Sequence, residues 1–156
     1  MIVWFAMVYR PCIVNKSELQ MTKIYISHSA LNDAVATRAH FALWKAELDT
    51  WVDHIHGHSS EAIFTDEDQK ALRQCKAGLL ILSEAAINSR KCQREWETIL
   101  SQKKPLFVAV IEPIAPDDLP DQLWDRTIPY VDLQGNLDGG LADLIHEIAG
   151  SIAHSE

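Results

Sequence analysis

From Lys23 onward, short apolar runs alternate with longer stretches of helical periodicity. Ile24-Tyr25-Ile26 predicts a strand that ends at Ser27-His28-Ser29. Across residues 31–48 the apolar positions Val35, Ala39, Ala42, Leu43 and Ala46 form a stripe at helical spacing. Thr50-Trp51-Val52 predicts a second short strand, closed by Asp53 and followed by the loop His54-Ile55-His56-Gly57-His58. Ser59 or Ser60 then stands where a helix to about Cys75 would be capped, with Glu61 in the first turn, where the helix dipole favours an acid. Leu79-Leu80-Ile81-Leu82 is the most apolar run and reads as a central strand buried on both faces. Asn88 or Ser89 can cap the next helix, whose Cys92, Trp96, Ile99 and Leu100 share one face until Lys103-Lys104-Pro105 stops it. Residues 106–111 make another apolar strand. Pro113, Pro116 and Pro120 turn residues 112–127 into loop, with at most one short helix around Asp121 to Trp124. Residues 128–133 predict a last strand, and 141–152 a last helix capped by Asp138.

Strand and helix in alternation mean a parallel sheet between helix layers, with ligands received at the carboxyl ends of the strands. That directs attention to the loops after Ile26, Val52 and Leu82. No G-x-G-x-x-G follows the first strand and no P-loop is present, so neither a Rossmann dinucleotide site nor a nucleotide triphosphatase is supported. The 156 residues are one domain's worth of chain, and 47% hydrophobic with 23% charged residues excludes disorder. Against 22 acids there are only 14 lysines and arginines, a net charge of −8 that argues against a duplex-nucleic-acid binder. Cys12, Cys75 and Cys92 show no pairing pattern, which fits a reducing compartment. The apolar run Met1 to Tyr9 is far below the roughly 20 residues of a bilayer span and lacks the marks of a signal peptide. Residues 1–21 are therefore read as an N-terminal extension of unknown role, and 22–156 as a single domain.

The segment after the central strand is the richest in chemistry. Glu95 falls at the border of the Cys92, Trp96, Ile99 stripe, in the first two turns of its helix, with Lys91 and Arg94 beside it. Such a carboxylate is either a solvated, ion-paired residue or a ligand contact at the strand ends. His54, His56 and His58 would share one face of an extended segment, an arrangement suited to zinc, but no carboxylate or cysteine is placed beside them, so no metal site is assigned and they read as solvated loop residues. His28 has the better claim to function because it sits at a strand's carboxyl end. Cys92, Trp44 and Trp51 read as packing residues, and Asp33 as support for the first turn of its helix.

Taken in order, Ile24-Tyr25-Ile26-Ser27-His28-Ser29, Trp51-Val52-Asp53 with Gly57, Leu80-Ile81-Leu82-Ser83, and Ser89 with Cys92-Gln93-Arg94-Glu95 resemble the Toll/interleukin-1 receptor (TIR) domain family over nearly the whole chain. The resemblance implies a flavodoxin-like three-layer α/β sandwich, a five-stranded parallel sheet in order 2-1-3-4-5 with helices on both faces. It also implies an NAD+ glycohydrolase of the bacterial type, with Glu95 as catalytic carboxylate and Ser27, His28, Ser29, Asp53, Ser83 and Lys91 as substrate contacts. NAD+ is then substrate, with no cofactor and no metal. The products are nicotinamide and ADP-ribose, linear or cyclised, in immune defence or cell-death signalling. Other TIR domains are the implied partners, docking through the loop of His54, Ile55, His56, Gly57 and His58, with a cytoplasmic location and a further protein as trigger. Two departures stand out. Lys91 occupies a position that is aromatic in many members, and the loop after the second strand keeps only the family's glycine and serine. The competing readings are a non-catalytic TIR interaction module and, ranked lower, a nucleoside deoxyribosyltransferase-like enzyme.

Overall fold

A computed structural model of the protein describes residues 23–56 and 63–154. The strands are β1 (Ile24–Ser27), β2 (Thr50–Val52), β3 (Ala77–Leu82), β4 (Leu106–Val110) and β5 (Tyr130–Asp132). They form one parallel sheet in the order β2-β1-β3-β4-β5, as expected. The helices are α1 (Asp33–Lys45), α2 (Asp53–His56), α3 (Asp66–Gln74), α4 (Glu84–Ile87), α5 (Arg90–Ser101) and α6 (Leu137–His154).

Alternation along the strands decides what each face sees. Ile24 and Ile26 with Leu79, Ile81, Phe107 and Ala109 pack against α1 and α6. On the opposite face Leu80, Leu82 and Val108 meet Leu72 of α3 and Cys92, Trp96 and Ile99 of α5. Tyr25 lies on that second face, and the period of two brings Ser27 out on the same side. Covered by helices on both sides, β3 is buried along its whole length, as its unbroken apolar run requires.

Several local expectations shift. α3 begins at Asp66 under a capping box in which Thr65 and Asp68 each satisfy the other's backbone N–H, so its first-turn acids are Asp66, Glu67 and Asp68; Ser59, Ser60 and Glu61 lie outside the described residues. On α1 the buried stripe is Ala36, Ala39 and Leu43, and Ala46 falls past the end of the helix, exposed. A 3-10 turn, Ala30–Asn32, precedes α1. The linker after β3 holds the extra helix α4, capped by Ser83 Oγ. Ser89 is the residue that caps α5. At α6 the cap is Asn136, whose Oδ1 accepts from Gly139 N at 3.0 Å, while Asp138 inside the first turn reaches Arg38 instead.

Close approach of α5 to the sheet depends on Gly78. A Cβ at that position would stand 2.3 Å from Ile99 Cδ1 and 3.1 Å from Cγ1. Gly78→Ala should therefore cost about 1–3 kcal/mol through overpacking, and Ile99→Ala about 2–5 kcal/mol through its cavity. The double variant should lose measurably less than the sum in urea denaturation, because truncating Ile99 makes room for the new methyl group. Strict additivity would show that this contact does not limit the approach.

Candidate functional site

The site begins with two periodicities. Tyr25 and Ser27, two apart on β1, point toward α5. On α5, Lys91 and Glu95 are four apart and form a row beside the Cys92, Trp96 row, and both rows are buried. Glu95 is not on a half-exposed border: it is only 2% exposed, and Lys91 5%. The expectation of a solvent-edged carboxylate fails because side chains from β1, the start of α2 and α3 close over that side of the helix.

Glu95 accepts from the Ser27 hydroxyl at 2.7 Å and, through its other oxygen, from the Tyr25 hydroxyl. Tyr25 also stands 3.4 Å from Asp68 Oδ1. The other Asp68 oxygen accepts from the backbone N–H and hydroxyl of Thr65, both at 2.9 Å. Lys91 donates to Asp53 Oδ2 and lies 3.7 Å from Asp68. One ammonium therefore faces three carboxyl groups in a nearly dry setting. Burial pushes the Glu95 carboxyl up to about 8, against the opposing pull of the two hydroxyls and Lys91. Burial, with Glu95 beside it, likewise drives the Tyr25 hydroxyl upward, so it stays a donor. Burial pulls Lys91 downward, but the hydrogen bond to Asp53 and the surrounding carboxylates more than offset this and hold it above its usual value. Burial also raises the Cys92 thiol to about 11, as suits a packing residue and not a nucleophile.

An open cleft of about 460 Å³ lies next to this network. Its walls are His28, Ser29, Ala30 and Asp33 after β1, Asp53 and His54 at the start of α2, and residues 88–91 at the start of α5. The carboxyl end of β1 and the amino end of α5 thus converge, as the strand order requires of a ligand site. Of the substrate contacts the resemblance implied, His28, Ser29, Asp53 and Lys91 line the cleft, and Asp33 and His54 join them. Ser27 and Glu95 lie behind its wall, one helical turn beyond Lys91. Ser83 is elsewhere: its hydroxyl donates to Asn32 Oδ1 at 2.7 Å and accepts from Ala86 N at 3.0 Å. Arg94 does not join Arg90 and Lys91 at the cleft but sits over the Phe64 ring, 4.5 Å from its centroid.

The two described loop histidines do not share one extended face, and only His54 is drawn into the fold; His56 stays exposed, as expected of a solvated loop residue. Helix α2 turns them apart: His54 hydrogen-bonds Thr37 and His28, while His56 Nδ1 accepts from Val52 N at 2.9 Å and its ring stacks on Trp51. Gly57, His58 and Ser59 lie outside the described residues. Sequence reasoning missed Tyr25 and Asp68. The first was legible as the residue two before Ser27 on one strand face; the second carried no signal beyond its helix-capping position.

A family model described as the TIR domain matches residues 24–145. Among solved structures, the TIR domain of the Toll-related receptor TRR-2 from Hydra magnipapillata is similar, with 16% identity and a TM-score of 0.61, covering 81% of this chain and 97% of that one. The TIR domains in the structure of the activated Roq1 resistosome directly recognizing the pathogen effector XopQ give 16% identity and a TM-score of 0.56, covering 84% and 99%. No curated protein sequence matches the chain. At this identity the structural likenesses concern the fold. Among the described residues, no helix is long and apolar enough to cross a membrane.

The raised Glu95 carboxyl gives stability a pH signature. In an unfolded chain this group titrates near about 4.3, whereas in the folded protein it does so at about 8. Between those values the folded state keeps a proton that the unfolded state has lost, so the group's contribution is full at low pH and declines as pH rises toward 8. Glu95→Gln removes the titration and leaves the histidines common to both proteins. In urea titrations from pH 5 to 8.5, the margin of wild type over Glu95→Gln should narrow steadily. A margin independent of pH would show that the carboxyl titrates normally in the fold.

Proposed function

The chain belongs to the TIR domain family, and from that premise we propose that it cleaves NAD+ at the bond between nicotinamide and ribose, with Glu95 as the catalytic carboxylate. The observation that carries this reading is the placement of Glu95: a carboxyl held by Tyr25 and Ser27 at the carboxyl end of β1, one helical turn behind a cleft with Arg90 and Lys91 in its wall. Those two cations suit a diphosphate. Nicotinamide leaves as a neutral pyridine, so no general acid is needed; positive charge passes instead to the ribose, where an anion stabilises it. A cationic pyridinium entering the site favours the ionised form of Glu95, which the ligand-free protein holds back by burial. For the sugar to reach it, the Lys91–Asp53 pair must part, which a ligand diphosphate competing for Lys91 would promote.

At about 460 Å³ the open cleft is toward the small end of ligand pockets, which run from about 300 to 1,000 Å³ and enclose most of their ligand. A neighbouring TIR domain docked at the segment from His54 to Ser59 would supply the missing wall. The Roq1 neighbour, a resistosome that recognises a pathogen effector, supports a role in immune signalling through assembly. On this reading the partners are NAD+, further copies of the chain and a protein that triggers assembly, the setting is cytoplasmic, and no cofactor or metal takes part in the cleavage.

One observation favours a second reading, a non-catalytic interaction module: Glu95 is 2% exposed, and its hydrogen bonds are met within the fold. Nicotinamide release across a wide protein dilution series separates the two. Turnover per molecule should rise with concentration and vanish in Glu95→Gln and Glu95→Ala. Glu95→Ala should also lose about 1–3 kcal/mol of stability, since it strands two buried hydroxyls, so circular dichroism of the milder Glu95→Gln is the control for folding. Wild-type turnover in a folded Glu95→Gln protein would overturn the catalytic assignment. No release from wild type at any concentration, with self-association intact, would establish the interaction module.

A further inference from the structure

Two imidazoles and two carboxylates meet in the cleft wall. His28 Nε2 stands 2.8 Å from Asp33 Oδ1 and 3.1 Å from His54 Nδ1. His54 Nδ1 is 3.5 Å from the same Asp33 oxygen. Asp53 Oδ1 lies 3.7 Å from His28 Nε2 and 3.9 Å from His54 Nδ1. From these separations we propose that His28, Asp33 and His54 form a binding site for a zinc-type divalent cation, with the remaining position open to the cleft. Around zinc, with bonds of about 2.0–2.1 Å, the edges of a tetrahedron are about 3.4 Å long, and the separations among these three ligand atoms run from 2.8 to 3.5 Å. Three ligand atoms already converge on one small space.

The surrounding bonds present lone pairs to that centre. Thr37 Oγ1 donates its hydrogen to the Asp33 carbonyl at 2.8 Å, so toward His54 Nε2, also at 2.8 Å, it acts as acceptor. His54 thus carries its proton on Nε2 and leaves Nδ1 bare, a tautomer assigned by the network. Among the described residues nothing hydrogen-bonds His28 Nδ1, so no donor locks that ring in the form protonated at Nε2. In the metal-free protein the His28 Nε2 proton lies between Asp33 and His54; on binding, the ring proton moves to Nδ1 and the metal takes its place. Asp53 stands beside the ligands: its Oδ2 keeps Lys91, and its Oδ1 accepts from the His54 backbone N–H at 2.7 Å. Supporting contacts of this kind orient ligands in known metal sites.

Charge distinguishes this trio from the neighbouring one of Asp53, Asp68 and Glu95, which also converges. Lys91 already supplies the cation there. Among the described residues the ion-pair partners of Asp33 are these two histidines alone. The three residues line the open cleft, which gives an ion a path in. Two imidazoles with one carboxylate select zinc over magnesium or calcium, which prefer oxygen ligands in greater number. The ion clamps the segment after β1, the first turn of α1 and the start of α2 together at the cleft mouth. This assignment does not rest on NAD+ cleavage.

The test uses the full chain without a histidine tag, stripped with a chelator, then titrated with zinc sulfate by calorimetry and melted with and without the metal. One zinc per chain and a raised melting temperature are expected, with no response to magnesium. Cobalt(II) should report tetrahedral geometry through its visible absorption. His54→Gln should weaken zinc binding more than tenfold, and so should Asp33→Asn, a half-exposed site at which folding is not at stake. Exposed His146→Gln should bind as wild type does. Wild-type affinity in Asp33→Asn or His54→Gln, or loss in His56→Gln alone, would overturn the site, whatever the outcome for nicotinamide release.

Discussion

A lysine ammonium enclosed with three carboxyl groups is the constraint around which this molecule is arranged. Lys91 and Glu95 come from α5, Asp53 from the start of α2 just after β2, Asp68 from α3, and the hydroxyls that hold Glu95 from β1. Taking any of these groups out of water is costly, and an unpartnered charge in such a place costs several kcal/mol. None can shift alone. The relative placement of β1, β2, α3 and α5 is thus tied to one polar cluster, while the apolar contacts on either side of the sheet leave more freedom to adjust.

The same arrangement explains why the cleft lies where it does. At their carboxyl ends, β1 and β2 run out of apolar side chains and present Ser27, His28 and Asp53, and α5 starts opposite them under its Ser89 cap. Apolar packing stops at that level and polar groups take over. Lys91 and Asp53 belong to both regions: they line the cleft and also close it off from Glu95. The protein therefore keeps a carboxyl whose titration burial shifts upward behind the Lys91–Asp53 ion pair.

Asp53 also links two clusters of different character. One of its oxygens meets the ammonium of Lys91, and the other faces the imidazoles of His28 and His54. Any ion or ligand drawn to the histidine side acts on a carboxylate whose opposite edge orients Lys91. Two neighbouring polar clusters thereby share one side chain.

The strands themselves, the buried central strand and the position of Glu95 in its helix were legible because they rest on local patterns: apolar runs, a period near 3.6 and turn residues at the element ends; the strand order came only with the family resemblance. The motif from Ile24 to Ser29 and the segment from Cys92 to Glu95 placed the site at the carboxyl ends of the strands. Periodicity did not reveal that Glu95 is enclosed. It describes one helix, and the residues that cover Glu95 come from β1, α2 and α3, 27 to 70 positions away in the chain. The capping box at Thr65, the turn that sends His54 and His56 in different directions, and the meeting of Asp33 with His28 and His54 likewise depend on neighbours or backbone turns that a pattern of apolar and polar residues does not encode. Local sequence determined the elements and their faces. Which charges share a dry space, and therefore which protons are held, was decided only when those faces closed on one another, because burial and ion pairing depend on distance through space and not along the chain.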